Sequence, residues 1–599
     1  MREKDTIGPF TLLRELITFQ KGKYAVRILG LTIYFLSPLL TTFLIKEIFE
    51  YLDGNPTINL GLWTIILLIP VIALVRIGVN IFNVIIEFMF VQSVQVLLRS
   101  NLLGGILKQP GAKALMNSSP GEAISRFRGD SMEIAWYVSF TGYVLSYGLF
   151  FVISFSLMFQ INYRATLLVT LPYFLVLLVI YKARNKQKEY RRVARRTAGQ
   201  VTGMVGETFS AIQSIKVARA EHGIRRYFDS LGEERRDASV KDSTFQAIIR
   251  GFGRMMLSFS SGILLFSVGQ DMQAGTFSVG DFAFFIFLLG WMQGYINTLA
   301  ELIPWQARAS VSYQRMYRLI RGVREDSTPN ELIETHDVHL KTPYQPKPHH
   351  ISNEARNMKS LSVKGLSVSH GENESDFSLN NVSFDIKKGE YVAVVGKVGS
   401  GKTTLLRAVL GLLQVDRGEF YWNSERITQP SEFFVPPISS YTPQLPTLFS
   451  DSIRENLLMG LDKDEKEVVK ASDLAILTED LKDFEDGLET VIGPKGIKLS
   501  GGQKYRVAAA RMLLRESELI VVDDLSSALD VKTEEQLWNG LFENKDNTFL
   551  VVSHRPNVLR RADKIIVLHE GRLVASGKLD ELIEKNEIMQ EIWSTITKN

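Results

Sequence analysis

Six long apolar runs within the first 310 residues constrain this chain more than any other feature of its sequence. A helix that crosses a bilayer needs about 20 apolar residues. Pro38, Pro70 and Pro172 fall inside three of the runs, where bilayer helices tolerate proline better than soluble helices do. The uncharged cores of the runs are Ile28–Ile45, Leu60–Val75, Ile134–Asn162, Ala165–Tyr181, Met255–Gln270 and Phe282–Ala300. The sequence therefore predicts six transmembrane helices.

The connections between these runs differ in charge, and the difference predicts their orientation. Tyr51–Gly61 and Asp271–Asp281 contain aspartate but no Lys or Arg, whereas Arg99–Arg128 and Lys182–Lys241 are long and rich in both. Lys and Arg collect on the cytoplasmic side of a membrane protein. We therefore expect a multi-pass protein of the cell membrane, plasma or inner, with both termini and its soluble part in the cytoplasm.

The two basic connections are too long and too helical to be simple turns, so spans two to five should extend far into the cytoplasm. A short helix is predicted at each tip, at Gly121–Arg128 and at Ala220–Phe228. After the last span, Thr328-Pro329 and the proline-rich Lys341–His350 predict an extended linker. The predicted domains are a transmembrane domain at 1–325, a linker at 326–356 and a soluble domain at 357–599.

Charge and cysteine content exclude several classes of function. The 69 basic and 65 acidic residues give a net charge of +4, which is nearly neutral for 599 residues, so no nucleic-acid partner is expected. The chain contains no cysteine, which excludes disulfides, thiolate metal sites and cysteine nucleophiles together.

A glycine-rich loop in the soluble part predicts a phosphate site. Tyr391–Val395 is a short, β-branched apolar run typical of a buried strand, and a helix-forming stretch begins at Thr404. In such a loop the glycines let backbone N–H groups converge on phosphates, Lys402 reaches the β and γ oxygens, and the Thr403 hydroxyl binds Mg²⁺. The predicted binding residues are Gly396, Lys397, Val398, Gly399, Ser400, Gly401, Lys402, Thr403 and Thr404.

Two further motifs separate this chain from the many other proteins with such a loop. Leu519–Asp523 predicts a second buried strand that ends in a carboxylate placed for Mg²⁺, and Leu499–Gln503 precedes a helix-forming stretch. With these motifs the sequence resembles an ATP-binding cassette (ABC) transporter, specifically an exporter-type half-transporter, over essentially the whole chain. The resemblance implies an α-helical six-span transmembrane bundle of the type IV exporter fold, fused to an α/β P-loop nucleotide-binding domain.

The resemblance assigns roles to these motifs and adds a second subunit. Gly396–Thr403 corresponds to the Walker A loop, and Leu519–Asp523 to the Walker B strand, whose aspartate Asp523 binds Mg²⁺. Leu499–Gln503 corresponds to the signature motif, which in this family caps the ATP held by the partner chain. We therefore expect ATP and Mg²⁺ as cofactors and a second ABC half-transporter chain as partner, within a lipid bilayer. The expected signature contacts are Ser500, Gly501, Gly502 and Gln503.

The remaining family positions are isolated residues or short segments. Gln444 matches the glutamine that contacts Mg²⁺ and senses the γ-phosphate, and His554 matches the switch histidine near that phosphate. Ser527–Asp530 resembles the loop at the dimer interface. Gln444 or His554 alone would more often be structural, but their order and spacing favour function. The tip helices resemble the coupling helices that dock onto the ATP domains, although on the sequence alone solvated basic loop tips are the stronger interpretation.

Two positions and one short segment depart from the family pattern. Asp524 stands where hydrolytic sites usually place the glutamate that holds the attacking water. Aspartate is one methylene shorter, and a misplacement of about 1 Å can cost about 100-fold in rate. His370 stands where an aromatic residue usually stacks on adenine, and Pro494-Lys495 replaces an acidic residue common in that connecting loop.

Asp524 leaves three interpretations open. The chain forms a homodimer with two slower sites, or it forms a heterodimer in which it supplies a weakened Walker half and an intact signature motif to its partner. We favour the heterodimer. The third interpretation is a nucleotide-gated regulatory subunit that binds ATP and hydrolyses little. A further alternative is a soluble cassette ATPase of the DNA-repair or translation type, and the six predicted spans argue firmly against it.

Polar residues repeat at helical spacing in two spans. Arg76, Asn80, Asn83 and Glu87 share one face of span two, and Gln293, Asn297 and Glu301 share one face of span six. Polar faces inside lipid usually line a bundle interior or a water-filled path. The sequence therefore predicts either a central cavity for an amphipathic substrate, such as a drug, lipid or peptide, or an internal Arg–Glu pair that only joins helices.

Overall fold

In the computed structural model the chain forms two compact units. Met1–Ile106 and Ser118–Leu340 make up the first unit, and Lys341–Asn599 makes up most of the second. The two units are described separately below. The described residues are 8–109, 120–321, 328–336, 357–369, 377–493, 498–525, 531–542 and 547–598.

The described part of the first unit is all helical. α2, α5 and α9 pack against one another, and α6 packs along α8. A π-helical turn at Arg126–Asp130 joins α4 to α5, and a 3₁₀-helix at Pro329–Ile333 follows α9. The helices are α1 (Pro9–Phe19), α2 (Lys21–Leu52), α3 (Leu62–Leu107), α4 (Pro120–Ser125), α5 (Ser131–Ile161), α6 (Tyr163–Ser210), α7 (Ile212–Val217), α8 (Glu221–Gln273) and α9 (Val279–Arg321).

Four of the described helical segments are long and apolar enough to cross a membrane. They are Lys21–Leu52, Leu62–Leu107, Gly121–Ile161 and Val279–Arg321. The other two predicted spans lie within α6 and α8, so the count of six stays a prediction. Pro38, Pro70 and Pro172 lie inside α2, α3 and α6, as expected for bilayer helices.

Three helices are much longer than a bilayer is thick. α3, α6 and α8 contain 46, 48 and 53 residues. At 1.5 Å per residue they are about 70–80 Å long, more than twice the roughly 30 Å of the hydrocarbon core. These three helices are therefore long enough to extend well beyond a membrane, and the extension of spans two to five into the cytoplasm stays a prediction.

The connections differ from the sequence prediction in three places. The separate tip helix predicted at Ala220–Phe228 is wrong: the short helix is α7, and α8 begins at Glu221 after a turn in which Arg219 has φ 50°. Gly121–Arg128 is helical but runs without a break into α5. Part of the predicted extended linker is instead a 3₁₀-helix, with Thr328 as its N-cap residue. Leu332 and Ile333 of this helix are buried among side chains of the first unit.

The second unit is built on two sheets. The four-stranded sheet is antiparallel with order β2-β1-β4-β5, and the six-stranded sheet has order β10-β9-β3-β8-β7-β6. In the larger sheet β6, β7, β8, β3 and β9 are parallel, and β10 closes one edge antiparallel. The strands are β1 (Ser360–Ser369), β2 (Phe377–Lys387), β3 (Tyr391–Gly396), β4 (Arg417–Trp422), β5 (Glu425–Ile427), β6 (Ser439–Thr442), β7 (Leu519–Asp523), β8 (Thr548–Val552), β9 (Lys564–His569) and β10 (Arg572–Gly577).

Helices cover the larger sheet, whose central strands β3, β7 and β8 are buried on both faces, as is usual for parallel sheets. The strands predicted at Leu361–Val368, Tyr391–Val395 and Leu519–Asp523 are all present. The helices are α10 (Lys402–Val409), α11 (Pro430–Phe433), α12 (Ile453–Leu458), α13 (Glu465–Leu474), α14 (Thr478–Lys482), α15 (Gly501–Leu513), α16 (Val531–Phe542), α17 (Pro556–Arg561), α18 (Leu579–Lys585) and α19 (Glu587–Lys598).

Candidate nucleotide-binding site

The order of the central strands gathers residues that are far apart in the chain. β3, β8 and β7 are neighbours, so their carboxyl ends meet at one edge of the sheet, which is where ligands bind in open α/β sheets. The glycine-rich loop follows β3 and leads to Lys402, Asp523 ends β7 with Asp524 directly after it, and His554 lies two residues beyond β8. The larger sheet therefore brings four predicted site residues to one place.

The loop from β3 to α10 requires glycine at specific points. Gly399 and Gly401 have φ of 83° and 95°, a conformation that favours glycine. A Cβ at Gly396 would lie 2.4 Å from the Leu568 carbonyl oxygen, and one at Gly401 would lie 2.5 Å from that of Ser378. The Val398 side chain is fully exposed, Ser400 is buried and Thr404 is half-buried. The loop is thus an open backbone cradle at the N-terminus of α10, which attracts anions.

Lys402 folds back over this loop. Its Nζ donates to the carbonyl oxygens of Gly396 at 2.7 Å and Lys397 at 2.9 Å. Burial lowers the pKa of Lys402, and the carboxylates of Asp523 and Asp524 act in the opposite direction. A cation held on two neutral carbonyls can exchange them for the charged oxygens of a phosphate, which are stronger acceptors.

Asp523 is buried at the end of β7 and has one unused oxygen. Its Oδ1 accepts a hydrogen bond from the Thr403 hydroxyl at 3.2 Å, while its Oδ2 has no hydrogen-bond partner among the described residues. Burial raises the pKa of Asp523. A buried carboxylate oxygen beside a hydroxyl offers the hard oxygen ligands that Mg²⁺ prefers. The residues present therefore fit the predicted Mg²⁺.

Asp524 and His554 both interact electrostatically with Lys402. Asp524 has φ 53°, and its backbone N–H donates to the Val552 carbonyl at 3.0 Å, which ties it to the end of β8. Burial lowers the pKa of His554, the Lys402 charge lowers it further, and Asp524 opposes both. His554 is therefore neutral at pH 7, with a ring that can donate one hydrogen bond and accept another.

The Gln444 side chain makes no hydrogen bond to this group among the described residues. Gln444 follows β6 and is exposed. Its carbonyl accepts a hydrogen bond from the Tyr505 hydroxyl on α15. Sequence analysis missed Tyr505, because a tyrosine inside a helical stretch carries no motif signal. The contact links the Gln444 loop to the helix that carries the signature motif.

The signature motif caps its own helix. The Ser500 Oγ accepts from the Gln503 backbone N–H at 3.2 Å, and the Gln503 Oε1 accepts from the Ser500 backbone N–H at 2.9 Å, a reciprocal capping box. Asp480 holds the helix by accepting two hydrogen bonds from Arg506, at 2.5 and 2.7 Å. Ser500 and Gly501 are exposed, while Gly502 and Gln503 are half-buried.

No hydrogen bond or ion pair within the described ranges joins this helix N-terminus to the phosphate loop of the same chain. Ser500 and Gly501 at this helix N-terminus are exposed and can therefore contact a second molecule. His370, Ser527–Asp530 and Pro494-Lys495 lie outside the described residues.

One further contact to the loop comes from the far C-terminal region. Lys397 Nζ lies 2.7 Å from Glu591 Oε1 on α19. Both side chains are about half exposed, so the pair contributes about 1 kcal/mol or less. The sequence did not predict a role for Glu591. The two residues are 194 positions apart, and the glycine-rich loop motif does not predict which helix packs beside the loop.

Comparison with known proteins agrees with this geometry. Residues 25–296 match the family described as ABC transporter transmembrane region, and residues 379–527 match the family described as ABC transporter. The solved structure of a bacterial Atm1-family ABC exporter with ATP bound is similar with a TM-score of 0.78 and 20% identity, covering 96% of this chain and 98% of that chain. At this identity the similarity concerns the fold.

Several curated relatives are similar over most of the chain. An uncharacterized ABC transporter ATP-binding protein, YfiB, of Bacillus subtilis is 28% identical over 437 residues, which is 72% of this chain and 71% of the relative. An ATP-dependent lipid A-core flippase of Vibrio vulnificus is 28% identical over 67% of this chain and 66% of its own length. The mitochondrial iron-sulfur clusters transporter ATM1 of Debaryomyces hansenii is 26% identical over 68% and 56%.

Proposed function

This chain belongs to the ABC transporters, with the exporter-type arrangement of a transmembrane region followed by an ATP-binding domain, and we propose that it exports an amphipathic substrate as one half of a dimer. The arrangement is that of an ATPase-coupled transporter. The observation that carries the proposal is the division of the nucleotide site. Lys402, Asp523, Asp524 and His554 lie together, while no hydrogen bond or ion pair among the described residues joins the exposed Ser500 end of α15 to them.

The proposed site binds ATP between two chains. The loop N–H groups and the α10 N-terminus bind the phosphates, and Lys402 exchanges its carbonyl partners for phosphate oxygens. Thr403 and Asp523 would hold Mg²⁺, which supplies charge neutralisation on the phosphates. The signature helix of the second chain closes over the nucleotide, while Gln444 is bonded to this chain's own signature helix α15, which would close over the partner's nucleotide.

The hydrolytic step is assigned to Asp524 and His554. The Asp524 carboxylate orients the attacking water and accepts its proton, and the neutral His554 ring donates a hydrogen bond to the transferred phosphoryl group. Because an aspartate oxygen ends about one bond length short of a glutamate oxygen, this chain's own Walker half is proposed to be slow, by up to about 100-fold.

We favour a heterodimer, in which this chain supplies its intact signature motif to a faster site on the partner. The observation that favours it is the combination of the short Asp524 carboxylate with a fully formed capping box at Ser500. The second candidate is a nucleotide-gated regulatory subunit that binds ATP and hydrolyses little. The same Asp524 supports that candidate.

The proposed orientation places the ATP-binding domain and both termini in the cytoplasm, within the cell membrane. It rests on the Lys- and Arg-rich connections, which leave the Tyr51–Gly61 and Asp271–Asp281 loops on the outer side. The substrate is an amphipathic molecule such as a lipid, drug or peptide, since Arg76 places charge within an apolar bundle.

The test is turnover of the purified chain in proteoliposomes, with ATP added to the side that carries the second unit. Lys402→Ala should abolish ATP hydrolysis and the movement of a fluorescent lipid, whereas Lys364→Ala, a matched loss of charge on β1, should not. Hydrolysis that survives Lys402→Ala would contradict the proposed site.

Asp524→Glu separates the two candidates. A gain of tenfold or more in turnover supports a transporter with a weakened site. No gain, with ATP binding retained and no turnover in the presence of any second half-transporter, supports the regulatory subunit.

A further inference from the structure

Glu87, one of the four residues on the predicted polar face of span two, belongs to a buried network. Arg27 Nη2 lies 2.6 Å from Glu87 Oε1, and both side chains are buried. The same Oε1 accepts from the Ser139 hydroxyl at 2.7 Å, and Oε2 accepts from the Tyr143 hydroxyl at 3.0 Å. The predicted internal Arg–Glu pair therefore exists, but its arginine is Arg27 on α2.

Arg76, three turns earlier on the same helix, is left without an anion. Its guanidinium carbon lies 4.3 Å from the ring centroid of Tyr34 on α2 and 4.6 Å from that of Trp291 on α9. Its Nε is buried and makes no hydrogen bond to any described residue. No ion pair or hydrogen bond of the side chain occurs within the described ranges.

The guanidinium carbon lies over both rings, and no described residue accepts a hydrogen bond from its N–H donors. A guanidinium is planar, and its five N–H donors all point outward in that plane. Cation–π contact with Tyr34 and Trp291 stabilises the positive charge in part, yet it provides no hydrogen-bond acceptor oxygen for the donors. Arg76 thus retains a fork of donors, which matches the oxygens of phosphate, sulfonate or carboxylate.

The surrounding side chains make the site rigid and apolar. Tyr147 donates a hydrogen bond to the backbone carbonyl of Trp291 at 2.6 Å, which fixes that part of α9. Phe35 stacks on Tyr147 with 4.2 Å between ring centroids, and Tyr295 lies 5.7 Å from the same ring. Such an aromatic wall suits an acyl chain or another apolar body better than a free inorganic ion.

The depth of Arg76 makes an unpaired charge there costly. It is fourteen residues from the start of α3 at Leu62, about 21 Å along the helix, which is well inside a hydrocarbon layer of about 30 Å. Ionisable residues at such depth almost always pair, and they mark substrate or ion pathways.

We propose that Arg76 binds the anionic head group of the transported substrate, an amphipathic oxyanion whose apolar body lies against the Tyr34, Trp291 and Tyr147 rings. The inference rests on the proposed export function and names its substrate class. The first expectation is that binding needs both parts of the molecule, because the charge meets Arg76 while the tail meets the aromatic wall.

The experiment measures probe binding by the full-length protein in phosphatidylcholine nanodiscs, through the change in tryptophan fluorescence. Dodecyl phosphate is compared with dodecanol, dodecyltrimethylammonium and glycerol phosphate, which remove the charge, reverse it or remove the tail. The wild-type protein should bind dodecyl phosphate at least tenfold more tightly than any of the other three. Trp291→Phe identifies the fluorescence change that arises at the site.

Arg76→Gln should weaken dodecyl phosphate at least tenfold, about 1.4 kcal/mol, and leave dodecanol within twofold. Arg76→Lys should recover part of the loss, because the charge remains without the planar fork. The matched control is Arg164→Gln, which removes an exposed arginine beside Tyr163 at the α5–α6 turn. It should change no affinity by more than twofold.

Equal affinities for dodecyl phosphate and dodecanol, or equal losses in Arg76→Gln and Arg164→Gln, would overturn the proposal. A loss of subunit association in Arg76→Gln with unchanged probe selectivity would also overturn it, since the anion would then belong to the partner chain. ATP hydrolysis is measured in parallel. Absent hydrolysis with anion-selective binding intact would count against the export function but not against this site.

Discussion

Replacing Glu87 with glutamine leaves the Arg27 guanidinium inside the helix bundle without its counter-ion. The side chains are only 1% and 7% exposed, and Glu87 also accepts hydrogen bonds from Ser139 and Tyr143. The amide keeps the size of the carboxylate but not its charge. Breaking a buried pair from one side costs about 3–5 kcal/mol, because the remaining charge is uncompensated. We expect Glu87→Gln to destabilise the first unit by about that amount.

The assay is a double-mutant cycle on the free energy of unfolding, measured by titrating the detergent-solubilised protein with sodium dodecyl sulfate and following tryptophan fluorescence. Arg27→Met combined with Glu87→Gln removes both charges. The pair should therefore couple by about 1–3 kcal/mol, with the double variant more stable than the sum of the single losses predicts. The matched control is Asp237→Asn, whose carboxylate pairs with Arg236 while both side chains are more than half exposed. It should cost about 1 kcal/mol or less.

Additive losses in the cycle would refute this reasoning, because independent effects mean that Arg27 and Glu87 do not depend on each other. Equal losses in Glu87→Gln and Asp237→Asn would refute it as well, since burial would then make no difference.

Three further predictions concern the rest of the chain. Gly401→Ala should reduce ATP binding at least tenfold in equilibrium dialysis without unfolding the protein, since φ is 95° and the new Cβ meets the Ser378 carbonyl. Burial lowers the folded-state pKa of His554, so its contribution to stability is complete above the unfolded-state pKa of about 6.5 and is lost as pH falls through the folded-state pKa. Between pH 8 and pH 5 the melting temperature of His554→Gln should therefore decline less than that of the wild type. Gly142→Ala should lower the melting temperature of the first unit more than Gly206→Ala does, because a Cβ at Gly142 would lie 2.5 Å from Arg27 Nη1 and one at Gly206 meets nothing.

The nucleotide site could be predicted largely because its main parts are local. The strand Tyr391–Gly396, the glycine loop and the helix from Lys402 are contiguous, so the conformation that each needs is encoded within about twenty residues. The signature helix is predicted for the same reason, since its capping box spans only Ser500 to Gln503. The positions of Asp524 and His554 beside Lys402 depend on strand order, which no local pattern carries.

The tip helices and the charge pairs show where local patterns fail. The basic stretch around Ala220 has helical composition throughout, so only the turn at Arg219 decides that the short helix ends before it. Arg27 lies just before the first apolar run and looks like an ordinary cytoplasmic flanking charge in the sequence, yet the structure buries it against Glu87, 60 residues away.

The sequence alone determined the apolar runs, the helices longer than a bilayer and the phosphate loop, since each depends on residues near one another in the chain. Only the tertiary structure decided which charges meet. Arg27 and Arg76 are both arginines near or within apolar runs, but the rotation and register of α2, α3 and α9 give Glu87 to Arg27 and two aromatic rings to Arg76. Helix periodicity identifies a polar face, but the partner across that face is set by how the helices pack.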